Sequence, residues 1–345
     1  MTEPVYDFRS DNVGGVAPEL LEAIVAANAG AASPYGDDDH TRRMVERFRA
    51  VFGHATLAAH PVATGTGANG LALAALANPY GAIYCHATAH VNVYECGAPE
   101  FYTGAKLVAL EGAGYKLHAA ELEAALGLAG RGNPTRVQPF ALNLTQPTDF
   151  GTLYALGELR ALADVAHAHG LLVHLDGARF ANAVAALDCT PAEMTWQAGI
   201  DVVSFGATKN GAMNAEALVV FDPAVAARLP FLMKRAGQVL SKARFVSAQL
   251  DRYLADGRWL ERARAANAHA AALASRLRAL PGVELANAVE VNMVFTRLPS
   301  AAAEALDRGP FRYYKLGREQ RFVCRHDQEP AGLDALVETV ARALR

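Results

Sequence analysis

The chain has few cysteines, no long apolar run and no excess of either charge, and each shortage closes off a class of protein. Its four cysteines, Cys85, Cys96, Cys189 and Cys324, follow no metal-binding or redox spacing. A chain of 345 residues needs no disulfide staples, so they read as free thiols. No apolar stretch reaches membrane-spanning length, and Met1 to Ser10 lacks the basic and apolar regions of a signal peptide. A cytoplasmic chain with no membrane partner is the expectation. With 32 basic against 35 acidic residues, interleaved along the chain, a net charge of −3 gives no electrostatic footprint for nucleic acid. No cluster of ligand-type side chains suggests a metal.

What is present is ample apolar material, 52% of residues, in alternating helical and extended patterns. Helices are predicted over 18–27, 41–52 closed by Gly53, 119–126, and 156–169 closed by Gly170. Strands are predicted over 82–85, 106–109, 137–142, 171–175, 202–205 and 217–221. Such alternation implies an α/β fold with a mainly parallel sheet covered on both faces. Beyond Ser247 the pattern changes to long Ala/Arg/Leu helices over 251–280, short strands near 283–285, 291–296 and 321–324, and a last helix over 332–344. Two domains are therefore expected, a large one over 1–247 and a smaller α/β one over 248–345.

Two of the predicted strands end in residues with complementary chemistry. Lys209 follows the apolar run 200–204, in Phe205-Gly206-Ala207-Thr208-Lys209, and Asp176 closes another run in His174-Leu175-Asp176-Gly177-Ala178-Arg179. Both fall where strands of an open α/β sheet give way to loops, the edge at which such sheets bind ligands. Desolvation favours the neutral amine of a lysine, which can condense with an aldehyde. An aspartate can keep a pyridine nitrogen protonated, so that the ring accepts electrons from a carbanion. Singly, each has a plainer reading: a solvated loop lysine, and an N-cap or metal-ligating aspartate.

A third feature joins them. Thr64-Gly65-Thr66-Gly67-Ala68-Asn69-Gly70 precedes the Ala/Leu-rich helical stretch 71–77, and glycines at a helix start let an anion approach free N–H groups. Gly65, Gly67 and Gly70 also fit the dinucleotide fingerprint. That reading needs an acidic residue about twenty positions on, at the end of the next strand. The strand 82–85 runs instead into His86-Ala87-Thr88-Ala89-His90. A single-phosphate cofactor suits the site better, with Gly65 and Thr66 as donors.

These pieces, together with Ser10-Asp11-Asn12-Val13, Pro34-Tyr35-Gly36, His90 through Glu95-Cys96-Gly97-Ala98, Thr145-Gln146 and Arg321-Phe322-Val323, run nearly end to end in one order. In that order the chain resembles the low-specificity L-threonine aldolases of the β-eliminating lyase branch, among the fold type I pyridoxal phosphate enzymes. The resemblance implies a three-layer large domain with a smaller C-terminal domain, and pyridoxal 5'-phosphate as cofactor. It implies Lys209 as the Schiff-base lysine, Asp176 on the pyridine nitrogen, and His90 stacked on the ring and serving the substrate hydroxyl. Gly65, Thr66, Arg179, Thr208 and Arg244 would complete the cofactor site, Arg244 reaching the phosphate of a neighbouring subunit. Ser10, Tyr35, His90, Gln146, Arg179 and Arg321 would meet the amino acid substrate, with Arg179 the principal grip on its carboxylate. A homotetramer built from dimers with shared sites is implied as well.

The expected reaction is retro-aldol cleavage of L-threonine, L-allo-threonine and related β-hydroxy-α-amino acids to glycine and an aldehyde. Many relatives carry a histidine where this chain has Gln146, and glutamine takes no proton near neutral pH. The general base is therefore left between His90 and an ordered water. Transamination, racemisation or β-elimination on the same scaffold, a nicotinamide-dependent dehydrogenase and a catalytically silent scaffold remain the alternatives.

Overall fold

The computed structural model describes residues 5–345. Seven strands form the central sheet: β2 (Ala58–Val62), β3 (Gly81–His86), β4 (Lys106–Leu110), β5 (Gln138–Thr145), β6 (Leu172–Gly177), β7 (Val202–Gly206) and β8 (Glu216–Val220). Their order is β2-β8-β7-β6-β5-β3-β4. Every pairing from β7 to β4 is parallel, and β8 runs antiparallel to both neighbours. Remaining strands are short. The two-residue β1 (Tyr6–Asp7) pairs with β11 (Phe311–Arg312). A second sheet is built from β9 (Glu284–Leu285), β10 (Met293–Arg297), β12 (Tyr314–Leu316) and β13 (Glu319–Val323), in the order β12-β13-β10-β9.

Parallel strands buried on both faces need apolar residues at successive positions, and β7 shows this. Val203 and Phe205 enter one core with Phe48, Phe52, Phe180 and Trp259, while Val202 enters the opposite one with Leu71, Ile83 and Leu229. Aromatic rings knit the first core, with Phe205 5.2 Å from both Phe48 and Phe180, centroid to centroid. Helix Gly65–Leu76 is buried from Gly67 to Leu76, the state of a helix that is apolar all round and lies in a core.

Where the elements differ from the sequence expectation, a cap or a special residue explains it. The helix expected from Thr41 starts at Asp39, because Asp38 accepts the Thr41 N–H at 2.9 Å and caps it. Helix 71–77 starts six residues early, on the glycines themselves, with the Thr64 hydroxyl accepting the Gly67 N–H. The long helix expected over 251–280 is two, Arg244–Tyr253 and Arg258–Arg278, separated at Gly257, whose φ of 78° no helix interior tolerates. Strand β2 escaped notice because Pro61 interrupts its pattern, which an edge strand permits.

A division after residue 247 falls inside helix Arg244–Tyr253, whose Leu250 and Tyr253 belong to the large core. The small core starts with Ala270, halfway along helix Arg258–Arg278, and takes in Phe8. We therefore propose that the two bodies divide along that helix, with the segment around Phe8 joining the smaller one.

Candidate active site

Asp176 lies next to last in β6, paired with Thr145 of β5 and Ser204 of β7, so the ends of three parallel strands converge beside it. Lys209 follows β7 on a short turn of 3-10 helix, Thr208–Asn210. Gly206 makes this approach possible: a Cβ there would lie 2.6 Å from the Ala178 carbonyl oxygen, so a side chain would push the lysine loop off the aspartate loop. Both residues line one cavity of about 380 Å³ with Gly65, Thr66, Asn69, His90, Glu95, Thr145, Asp149 and Arg179.

Helix Gly65–Leu76 points its N-terminus into this cavity. Thr64 satisfies the Gly67 N–H and its carbonyl the Ala68 N–H. The Gly65 and Thr66 N–H groups have no acceptor among the described residues, and both residues face the cavity. They are the two donors an anion would find there.

Polar side chains tie the cavity wall together. Asn69 Nδ2 donates to Asp176 Oδ2 at 3.0 Å and to Glu95 Oε1 at 2.8 Å, and the same Glu95 oxygen meets His90 Nδ1 at 2.8 Å. The Ala178 N–H donates to Asp176 Oδ1. Asp176 is thus fixed through both oxygens, and His90 is oriented from one ring nitrogen. Burial alone would lower the His90 pKa, but the Glu95 hydrogen bond and the Asp149 and Asp176 carboxylates raise it overall. Burial pushes the Lys209 pKa down, with help from the Arg179 guanidinium, against the pull of Asp11, Asp176 and Asp149. A larger share of neutral amine results, the form that attacks a carbonyl.

Arg179 is the N-cap of helix Phe180–Leu187. Its Nε and one terminal nitrogen grip Asp11 at 2.7 and 3.0 Å in a buried ion pair, and Asn292 holds the same carboxylate at 3.1 Å. Burial would raise the Asp11 pKa, yet Arg179 and Lys209 hold it below the usual range. Two of the Arg179 donors are thus engaged with Asp11 before any substrate arrives. Arg321, placed second in the sequence reading, has a buried Nε without an acceptor. Burial and the nearby Arg179 push its pKa down, against the opposing pull of Asp11 and Asp149. An arginine left with an unmet donor suits an incoming carboxylate.

Other residues expected at the site land elsewhere for identifiable reasons. Gln146 is fully buried, with its amide nitrogen donating to the Tyr154 carbonyl and its amide oxygen accepting the Tyr154 N–H, so it braces a loop and does not line the cavity. Thr208 accepts the Ala215 N–H through its hydroxyl and likewise stays outside the lining. Ser10 accepts the Asn12 N–H and caps a short turn beside Asp11. Tyr35, 59% exposed, lines a separate outer groove against Lys234. Arg244 donates to the Gly30 carbonyl and does not line the Lys209 cavity of its own chain. Conversely, Asp11, Asn69, Glu95 and Asn292 carry much of the wiring and Asp149 lines the cavity, although none of the five was singled out as a site residue.

Glu216, behind the lysine loop, accepts the Ala207 N–H, and burial pushes its carboxyl up to about 7. The folded protein therefore binds this proton more tightly than the unfolded chain. Relative to low pH, stability from this group is intact below about 4.5 and is lost as pH rises to about 7, by roughly 3 kcal/mol. In Glu216→Gln the urea midpoint should fall less steeply than in the unaltered protein between those values. Equal slopes for the two proteins would contradict the assignment.

A mainly parallel sheet covered on both faces, with a smaller sheet beside it and lysine, aspartate and a helix N-terminus meeting at its strand ends, is the architecture of the fold type I pyridoxal phosphate enzymes. The aspartate aminotransferase of Rhodobacter sphaeroides shares this fold, with a TM-score of 0.72 at 18% identity over 100% of this chain and 93% of its own. Residues 7–300 match the family described as beta-eliminating lyase, and the chain belongs to that family. It is 41% identical to the low specificity L-threonine aldolase of Pseudomonas sp. strain NCIMB 10558, over 99% of this chain and 98% of the relative. A Pseudomonas aeruginosa protein of the same name is 41% identical over 95% of each chain. The Leishmania major threonine aldolase structure superposes with a TM-score of 0.92 at 26% identity, covering 99% of this chain and all of the other.

Proposed function

We propose that this chain cleaves L-threonine, L-allo-threonine and related β-hydroxy-α-amino acids to glycine and an aldehyde, with pyridoxal 5'-phosphate as cofactor. The observation that carries the reading is one cavity holding Lys209, Asp176 and two free helix N–H groups, in a chain matching Pseudomonas low specificity L-threonine aldolases along nearly its whole length. The residues fit the group. Lys209 offers an amine of lowered pKa to the aldehyde, Asp176 a fixed carboxylate to the ring nitrogen, Gly65 and Thr66 their N–H groups to the phosphate, and His90 an imidazole to the ring face. When bound, pyridoxal phosphate supplies the aldehyde that captures the substrate amine and the ring that accepts an electron pair released at Cα.

The chain's own side chains decide which bond breaks. Arg321 takes the substrate carboxylate, supported by Arg179 locked on Asp11. Gripping the carboxylate at a fixed point sets the rotation about Cα, so the Cα–Cβ bond can be the one aligned for cleavage. His90, held through Nδ1 by Glu95, presents its ring without freedom to turn.

Tyr35 and Arg244 belong to this reading only through a second copy. Both lie on an outer surface joined by the Tyr35 N–H bond to the Ser241 carbonyl, which suits sites shared between subunits of a homotetramer. Among the described residues no helix is long and apolar enough to cross a membrane.

Incubation of the cofactor-loaded protein with L-threonine tests the function. Equimolar glycine and acetaldehyde are expected, with L-allo-threonine also consumed. Release of ammonia and 2-oxobutyrate would instead mark a β-elimination, and D-allo-threonine an inversion at Cα.

A further inference from the structure

Three carboxylates line the Lys209 cavity, and two of them are already engaged. Asp176 accepts from Ala178 and Asn69 through its two oxygens, and Glu95 accepts from Asn69 and meets His90 through Oε1, its Oε2 being buried without a partner. Asp149 is the third. Its Oδ2 is shut away from solvent with no hydrogen-bond partner among the described residues. A buried carboxylate oxygen without a donor is costly to keep, so such an atom needs a task.

Its surroundings are specific. On the cavity side Asp149 faces His90, Asp176, Lys209 and Arg179, and Arg321 of β13 feels its charge from the small sheet. On the other side it borders a small polar hollow lined by His86, Tyr115, Asn143, Thr145 and Tyr154. Two more buried polar atoms of that hollow, Asn143 Nδ2 and Thr145 Oγ1, also lack partners among the described residues. Asp149, Asn143 and Thr145 thus bring three unmet polar atoms to the residues that line one hollow. Asp149 therefore stands between the reaction cavity and a polar hollow, where a proton can enter from one side and be held from the other.

We propose that Asp149 takes the proton of the substrate's β-hydroxyl group. The proposal rests on the aldolase reading above and names the base which that reading leaves open. As the proton passes to Asp149 Oδ2, the O–H electron pair becomes the second C–O bond of the aldehyde. The Cα–Cβ bond breaks, its electron pair goes to Cα, and a proton added there completes glycine. Threonine and its two products then balance with no oxidant, reductant or net gain of protons. Gln146, close by in sequence, cannot serve because its amide is spent on Tyr154. His90 is the weaker rival: its raised pKa leaves it a proton donor over more of the neutral range. Burial raises the Asp149 pKa, with Asp176 adding to it and His90, Lys209 and Arg179 opposing, and this makes it a better base than an exposed carboxylate.

The test compares the holoenzyme with Asp149→Asn in two reactions. Cleavage of threonine needs a base for the hydroxyl, whereas exchange of the glycine α-hydrogen with D2O does not. Cleavage should fall on the order of 10²–10⁴-fold, the usual contribution of a general base, while glycine exchange stays within about threefold. Asp149→Glu should recover part of the loss. Infrared titration of the apoprotein should show two carboxyls protonating above the ordinary carboxylate range in the unaltered protein, Asp149 and Glu216, and only one in Asp149→Asn. If Asp149→Asn does not fold, Asp149→Ser is read by the same two reactions. Parallel loss of both reactions, or undiminished cleavage, overturns the proposal alone. An unaltered protein that cleaves no β-hydroxy amino acid overturns the aldolase reading and the proposal with it.

Discussion

Lys209→Ala should abolish threonine cleavage, by on the order of 10⁴-fold or more, while leaving the folded protein at least as stable as before. The first half follows from chemistry: no other lysine lines the cavity, so nothing else can hold an aldehyde there covalently. The second half follows from energetics. The Lys209 amine has no hydrogen-bond partner among the described residues, and burial depresses its pKa, so the fold bears the cost of a desolvated amine kept for function. Thermal unfolding of the two apoproteins should therefore give the variant an equal or higher midpoint. A variant that loses activity because it unfolds would point to a structural lysine. A variant that keeps substantial activity would remove the residue from the mechanism.

Asp176→Ala comes second in size. The ring nitrogen would lose its anionic partner, and inside the protein the Asn69 amide and the Ala178 N–H would lose their acceptor. Removing one member of a buried charge pair costs about 3–5 kcal/mol. If that cost falls on the transition state, turnover drops roughly 10²–10⁴-fold. Cofactor affinity should weaken in the same variant. Asp176→Asn, which keeps the shape and loses the charge, should behave nearly as badly in turnover while binding the cofactor better than the alanine variant. Full activity in the asparagine variant would show that the negative charge is not what the site uses.

Legibility in the sequence followed physical origin. Lys209, Asp176, Gly65 and Thr66 could be read because each sits next to a recognisable strand end or helix start, and their residue types have few other uses together. All four line one cavity. The sheet was legible for the same reason, since strands buried on both faces leave uninterrupted apolar runs. Edge strand β2 was not, with Pro61 breaking its pattern. The pairing of Asp11 with Arg179 spans 168 positions, and no local pattern announces it. Without it, Arg179 reads as a wholly free guanidinium. Gln146 was misplaced because its alignment with a histidine says nothing about which way its amide turns. Asp149 lay three residues further on, visible only once the chain had folded its carboxylate between two hollows.

The central claim is a covalent link between Lys209 and the aldehyde of pyridoxal phosphate, and trapping that link tests it most directly. The cofactor-loaded protein is treated with borohydride, digested and mapped by mass spectrometry. A single pyridoxyl phosphate adduct on the Lys209 peptide, absent from Lys209→Ala, is the result the account predicts. An adduct on any other lysine, or none on a protein that cleaves threonine, would contradict it.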